Sequence, residues 1–152
     1  MDPIQFYSCF ISYSSQDRDF ADRLYADLQA KGIRCWLDHE HLKIGDEIRD
    51  VIEVSIRVHD KLLLVLSAHS VASKWVRNEV ETALEKERRQ RRPVLFPIRL
   101  DEAVMETEAG WAGLVRRRRH IGDFRGWKEH DAYQKGFARL LRDLKAEDRA
   151  VP

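Results

Sequence analysis

The chain lacks several features that would settle its class at a glance. It has only two cysteines, Cys9 and Cys35, in 152 residues, too few for a disulfide scaffold. Both fall in strand-like segments and read as reduced, buried thiols of a cytosolic protein, with a disulfide between them the poorer reading. No apolar segment reaches the roughly eighteen residues that a membrane helix requires. The opening Met1-Asp2-Pro3 has none of the basic and apolar run of a signal peptide, so a cytoplasmic protein that engages no membrane is expected. Net charge is almost absent, with 27 basic residues against 26 acidic ones, which leaves no global field to draw nucleic acid or anionic lipid. There is no G-x-S-x-G elbow, no P-loop and no G-x-G-x-x-G, so serine hydrolase, NTPase and dinucleotide oxidoreductase readings miss their key parts. No C-x-x-C or H-E-x-x-H supports a metal site. Metal-capable side chains do gather between Cys35 and His41, but strand neighbours point to opposite faces.

What is present suits one soluble domain. Hydrophobic residues make up 43% and charged residues 35%, enough apolar side chain for a core without metal or disulfide support. The most informative stretch runs from Lys61 through Leu62-Leu63-Leu64-Val65-Leu66 to Ser67. Its aliphatic residues do not alternate with polar ones, so both faces are covered, as in an interior strand of a parallel sheet. A helix follows, with Val76, Val80, Ala83 and Leu84 on its inner stripe. Trp75 and Glu79 lie four apart on one flank of that stripe. Glu79 is thereby placed at the border of the core, near the carboxyl end of a central strand, where open α/β sheets bind ligands.

Taken in order, residues 5–12 form a first strand, rich in aromatic and β-branched side chains. Ser14 to Asp17 offers a capping box, and Phe20, Leu24 and Leu28 carry the helix that Gly32 stops. Residues 33–37 form the second strand, and a loop over 38–45 leads to a helix with Ile48, Val51, Ile52 and Ile56 inside. After the central strand and its helix, residues 93–98 form a fourth strand whose prolines suit strand ends. Residues 101–119 read as irregular, with a short helix near Trp111 and Leu114. Residues 120–124 make a fifth strand, and Tyr133, Phe137, Leu140, Leu141 and Leu144 mark a closing amphipathic helix. Such alternation predicts an α/β fold, a five-stranded parallel sheet with helices on both faces and right-handed crossovers.

Several fragments resemble a Toll/interleukin-1 receptor (TIR) domain of the bacterial kind, and the likeness covers nearly the whole chain. Cys9-Phe10-Ile11-Ser12-Tyr13-Ser14-Ser15-Gln16-Asp17 looks like the family's first box. Trp36-Leu37-Asp38 with Leu42-Lys43-Ile44-Gly45-Asp46 is similar to its second strand and the loop after it. Leu64-Val65-Leu66-Ser67 and Trp75-Val76-Arg77-Asn78-Glu79 match a third strand and a Trp-x-x-x-Glu helix. The resemblance implies a flavodoxin-like three-layer sandwich over residues 1–146. Residues 147–152 would form a polar tail able to lead into a further module.

The resemblance also implies two activities. One is cleavage of NAD+ as substrate, with no separate cofactor, giving nicotinamide and ADP-ribose or a cyclic isomer in immune or stress signalling. The other is non-catalytic recruitment of further TIR domains. In the catalytic branch Glu79 is the essential carboxylate, with Tyr13, Ser14, Trp36, Asp38, Lys43 and Trp75 around the substrate. Leu42, Ile44, Gly45 and Asp46 would join neighbouring domains head to tail. The residues themselves leave alternatives open. Trp75 also reads as a packed aromatic, Ser14 and Asp38 as loop caps, and Lys43 as a solvated tip. The runs Arg88 to Arg92 and Arg116 to Arg119 precede strands, while Asp17, Asp38, Glu40, Asp46, Asp101, Glu102 and Asp123 follow them. That pattern predicts a domain basic at one end of its sheet and acidic at the other, suited to stacking.

Overall fold

The aliphatic run becomes the middle of the sheet. In the computed structural model, which describes residues 6–37 and 54–145, Lys61–Leu66 is strand β3 and every residue in it is buried. It lies between β1 (Cys9–Ser12) and β4 (Leu95–Arg99), with β2 (Cys35–Leu37) beyond β1 and β5 (Gly122–Asp123) beyond β4. All four pairings are parallel. The order β2-β1-β3-β4-β5 reverses direction next to β1, the kind of point where such sheets bind ligands.

Alternation along each strand divides the core. Cys9, Ile11, Leu63, Val65 and Ile98 face helices α1 (Arg18–Ala30) and α7 (His130–Leu144), meeting Phe20, Leu24, Tyr133 and Phe137. Phe10, Leu62, Leu64 and Leu66 face the other way. There they meet Val76, Val80 and Ala83 of α4 (Val76–Gln90), Val104 of α5 (Ala103–Glu106) and Val115 of α6 (Gly110–Arg118). Ile56 joins that face from the helical residues 54–58, labelled α2. A four-residue helix, α3 (Ala68–Val71), completes the set. The three-layer architecture matches the expectation.

Several local expectations are corrected. Residues 101–119 hold two helices, α5 and α6, where only one short helix was expected. The first strand begins at Cys9 and not at residue 5, and Phe6 makes only an isolated antiparallel bridge to Lys145. Ser14 does cap, but it accepts from the Gln16 amide ahead of a 3-10 turn, and Asp17 turns away to Ser67. Gly32 ends α1 in the left-handed region at φ 79°, as expected. Pro97 sits inside β4, opposite Leu64. This is tolerated because β5 pairs only with Ile98 and Arg99, leaving β4 an edge at Pro97.

Candidate functional site

Glu79 lies in the first turn of α4, its amide donating to the Trp75 carbonyl at 3.1 Å. The neighbouring Val76, Val80 and Ala83 drive that face of the helix into the core, and Glu79 goes in with them at 1% exposure. Both carboxylate oxygens are inaccessible to solvent. The amino-terminal peptide dipoles of α4 favour negative charge at this turn. The acid is thus deeper than the border position expected from the spacing.

The other expected site residues are scattered around it. Trp75 precedes α4 and is 44% exposed, so its indole is a surface ring and not a core wall. Trp36 faces the α4 side of the sheet and tilts over the His59 ring at 4.1 Å. Tyr13 is buried in the opposite core, with the α1 and α7 side chains. Ser14 follows it and is 6% exposed, its hydroxyl occupied by the Gln16 amide at 3.4 Å. Asp38, Leu42, Lys43, Ile44, Gly45 and Asp46 lie outside the described residues.

What the sequence did not disclose is the network holding the segment that leads to Glu79. Ser67, at the end of β3, donates to Asp17 at 2.5 Å and caps α3 through the His69 and Ser70 amides. Asp101, at the end of β4, accepts from the Ala68 amide at 2.8 Å and the Ala103 amide at 2.9 Å. Serine and aspartate just after strands are the available signal, because both residue types cap helix starts.

The expected division of charge between the two ends of the sheet is offset within the domain. At the carboxyl end Arg125 pairs with Asp123 and Glu102, and Arg99 pairs with Glu102. The Arg125 guanidinium holds the Asp123 carboxyl down to about 2, and hydrogen bonds from Arg125 and Arg99 lower Glu102 as well. At the amino end Arg119 pairs with Glu87, which also accepts from the Val94 and Leu95 amides at 2.9 Å. Arg116 donates to the Val104 and Thr107 carbonyls at 2.7 and 3.0 Å. Arg116 and Arg119, two of the four arginines that run together before β5, are therefore committed to local partners.

A cavity of about 520 Å³ opens away from Glu79, between β4, β5 and α7. Phe96, Ile98, Phe124 and Leu140 give it an apolar floor. Lys135 and Arg139, four apart on α7, stand at its wall. The carboxylates Asp123 and Asp143 line the same cavity.

With this geometry in hand, the comparisons with known proteins agree in kind. Over 93 residues the chain is 27% identical to the NAD(+) hydrolase TcpC of Escherichia coli O6:H1, covering 60% of this chain and 30% of that protein. It is 33% identical over 82 residues to the 2' cyclic ADP-D-ribose synthase AbTIR of Acinetobacter baumannii, covering 53% and 30%. It is 30% identical over 98 residues to the 2' cyclic ADP-D-ribose synthase BtTIR of Bacteroides thetaiotaomicron, covering 64% and 34%. The match thus spans about a third of these relatives' own length. Among solved structures, the TIR domain of the Toll-related receptor TRR-2 from Hydra magnipapillata superposes with a TM-score of 0.68. That match has 17% identity and covers 91% of this chain and 98% of the other. The TIR domains of the activated Roq1 resistosome give 0.66 at 19% identity, covering 90% and 98%. A family model described as "TIR domain" matches residues 9–141, and the chain belongs to the TIR domain family.

Proposed function

We propose that this domain cleaves the nicotinamide–ribose bond of NAD+, with Glu79 as the carboxylate that stabilises the ribosyl cation. The single observation that carries this reading is a carboxylate at 1% exposure in the first turn of α4, beyond the carboxyl end of β3. Relatives named as NAD(+) hydrolases and cyclic ADP-D-ribose synthases support it.

The chemistry asks little of a second acid, unlike most glycoside hydrolysis. The nicotinamide ring of NAD+ is already cationic. It leaves neutral with the bonding electron pair, and no proton has to reach it. Positive charge then develops on the ribose, and an oriented carboxylate in a dry site meets it without reorganisation. Water adding to the anomeric carbon and losing a proton gives ADP-ribose. Addition of a hydroxyl of the same molecule gives a cyclic isomer. The exposed Trp75 ring is suited to stacking on a planar heterocycle.

Because both Glu79 oxygens are covered, substrate entry requires the acid to be uncovered, and self-assembly is the step proposed to do this. The segment Leu42-Lys43-Ile44-Gly45-Asp46-Glu47 combines two aliphatic side chains with two acids. That chemistry complements the apolar floor and the cations Lys135 and Arg139 of a neighbour's cavity.

The test incubates the purified chain with NAD+, with and without a crowding agent, while light scattering follows assembly and chromatography follows free nicotinamide. Glu79→Gln is expected to lower nicotinamide release by about 10²–10³-fold while leaving assembly intact. Reversing Lys135 and Arg139 to Glu is expected to abolish both assembly and release. Assembly without nicotinamide in the unsubstituted protein would instead support the non-catalytic adaptor.

A further inference from the structure

The two cysteines stand directly opposite each other. Cys9 and Cys35 are register partners on the parallel strands β1 and β2. The Cys9 amide donates to the Arg34 carbonyl at 3.0 Å, which fixes that register. Both side chains point to the α1/α7 core, at 0% and 3% exposure. Neighbouring strands run about 4.8 Å apart. Disulfides span Cα separations of about 4.4 to 6.8 Å, so the bond fits with little backbone movement. β2 is the outermost strand and only three residues long, so it opens more readily than the strands inside.

We propose that Cys9 and Cys35 form an oxidation-sensitive dithiol that a peroxide converts to a disulfide across β1 and β2. The Cys35 thiolate attacks one oxygen of hydrogen peroxide. A sulfur–oxygen bond forms, the oxygen–oxygen bond breaks, and hydroxide leaves to take up a proton. The Cys9 sulfur then attacks the sulfenic sulfur, forming the sulfur–sulfur bond, while the sulfenic oxygen departs as water with the Cys9 proton. Two thiols lose two electrons in all, and one peroxide becomes two waters. The shared hydrogen bond assigns the roles: it pushes the Cys9 thiol up and draws Cys35 down, so Cys35 is the sulfur that ionises first. The bond would fasten the sheet's edge strand immediately before Asp38, beside the strand that ends at Ser12, just ahead of Tyr13 and Ser14. The inference does not depend on the NAD+ reading.

To test it, the reduced native protein is exposed to hydrogen peroxide and quenched with catalase. It is then alkylated in denaturant, digested without reductant and mapped by mass spectrometry. The expected product is a Cys9–Cys35 peptide pair lighter by two hydrogen atoms and separated by dithiothreitol. In Cys9→Ser, Cys35 is expected to take up dimedone as a sulfenic acid. Alkylation of both cysteines, sulfinic or sulfonic acids without a link, or links only between chains would each overturn the proposal. If a serine variant fails to fold, the unsubstituted protein's peptide map decides alone.

Discussion

The two ends of the sheet use charge in opposite ways. At the amino end, ionic groups are buried or half-buried and tied to main-chain atoms. Lys86 donates to the carbonyls of Ile56, at 3.1 Å, and His59. Lys61 donates to the Pro93 carbonyl, and Asp60 accepts from the Ser8 amide at 2.9 Å. At the carboxyl end, Asp123, Glu102 and Arg125 pair with one another on an exposed surface. Buried ionic hydrogen bonds hold backbone in place, whereas exposed pairs contribute little and rearrange readily. The carboxyl end is thus the one whose ion pairs are easier to rearrange.

The largest effect should come from Lys86. Burial lowers its ammonium from the ordinary value, and removing the side chain leaves two carbonyls unmet as well as a gap beside α2. Lys86→Ala is expected to lower stability by about 2–4 kcal/mol, measured as the shift in urea midpoint. Lys86→Met, which retains the stem, should lose less. An Ala variant as stable as the original would erase the contrast between the two ends.

The smaller effect is at Asp123. Its folded-state value lies near 2 against an ordinary 3.8, so its stabilising contribution is present above 3.8 and disappears as pH falls through about 2. Asp123→Asn is expected to cost less than about 1 kcal/mol at neutral pH, because the pair is exposed. The gap between variant and original should close on acidification across that window, as followed by urea unfolding at each pH. A gap independent of pH would mean that the ion pair is not what Asp123 contributes.

Much of the fold was legible because its cues are local. The run Leu62 to Leu66 could only be an interior strand, and Tyr133, Phe137, Leu140 and Leu144 could only be one face of a helix. Residues 101–119 misled because α5 has four residues and α6 nine, too short to display a clear period. Of the candidate site, the spacing placed Glu79 at the border of the core beside Trp75, but its depth was not readable. A glutamate beside an apolar stripe reads as a flank residue until the sheet closes over it.

The sequence by itself determined the succession of strands, the parallel sheet and the family, since these follow from periodicity and from motifs carried on short stretches. Only the tertiary structure decided that Arg116, Arg119 and Arg125 are committed to local partners, that Lys135 and Arg139 flank an apolar cavity, and that Cys9 faces Cys35. Those are relations between residues far apart in the chain. Strand register and helix docking set them, and neither can be read from one segment at a time.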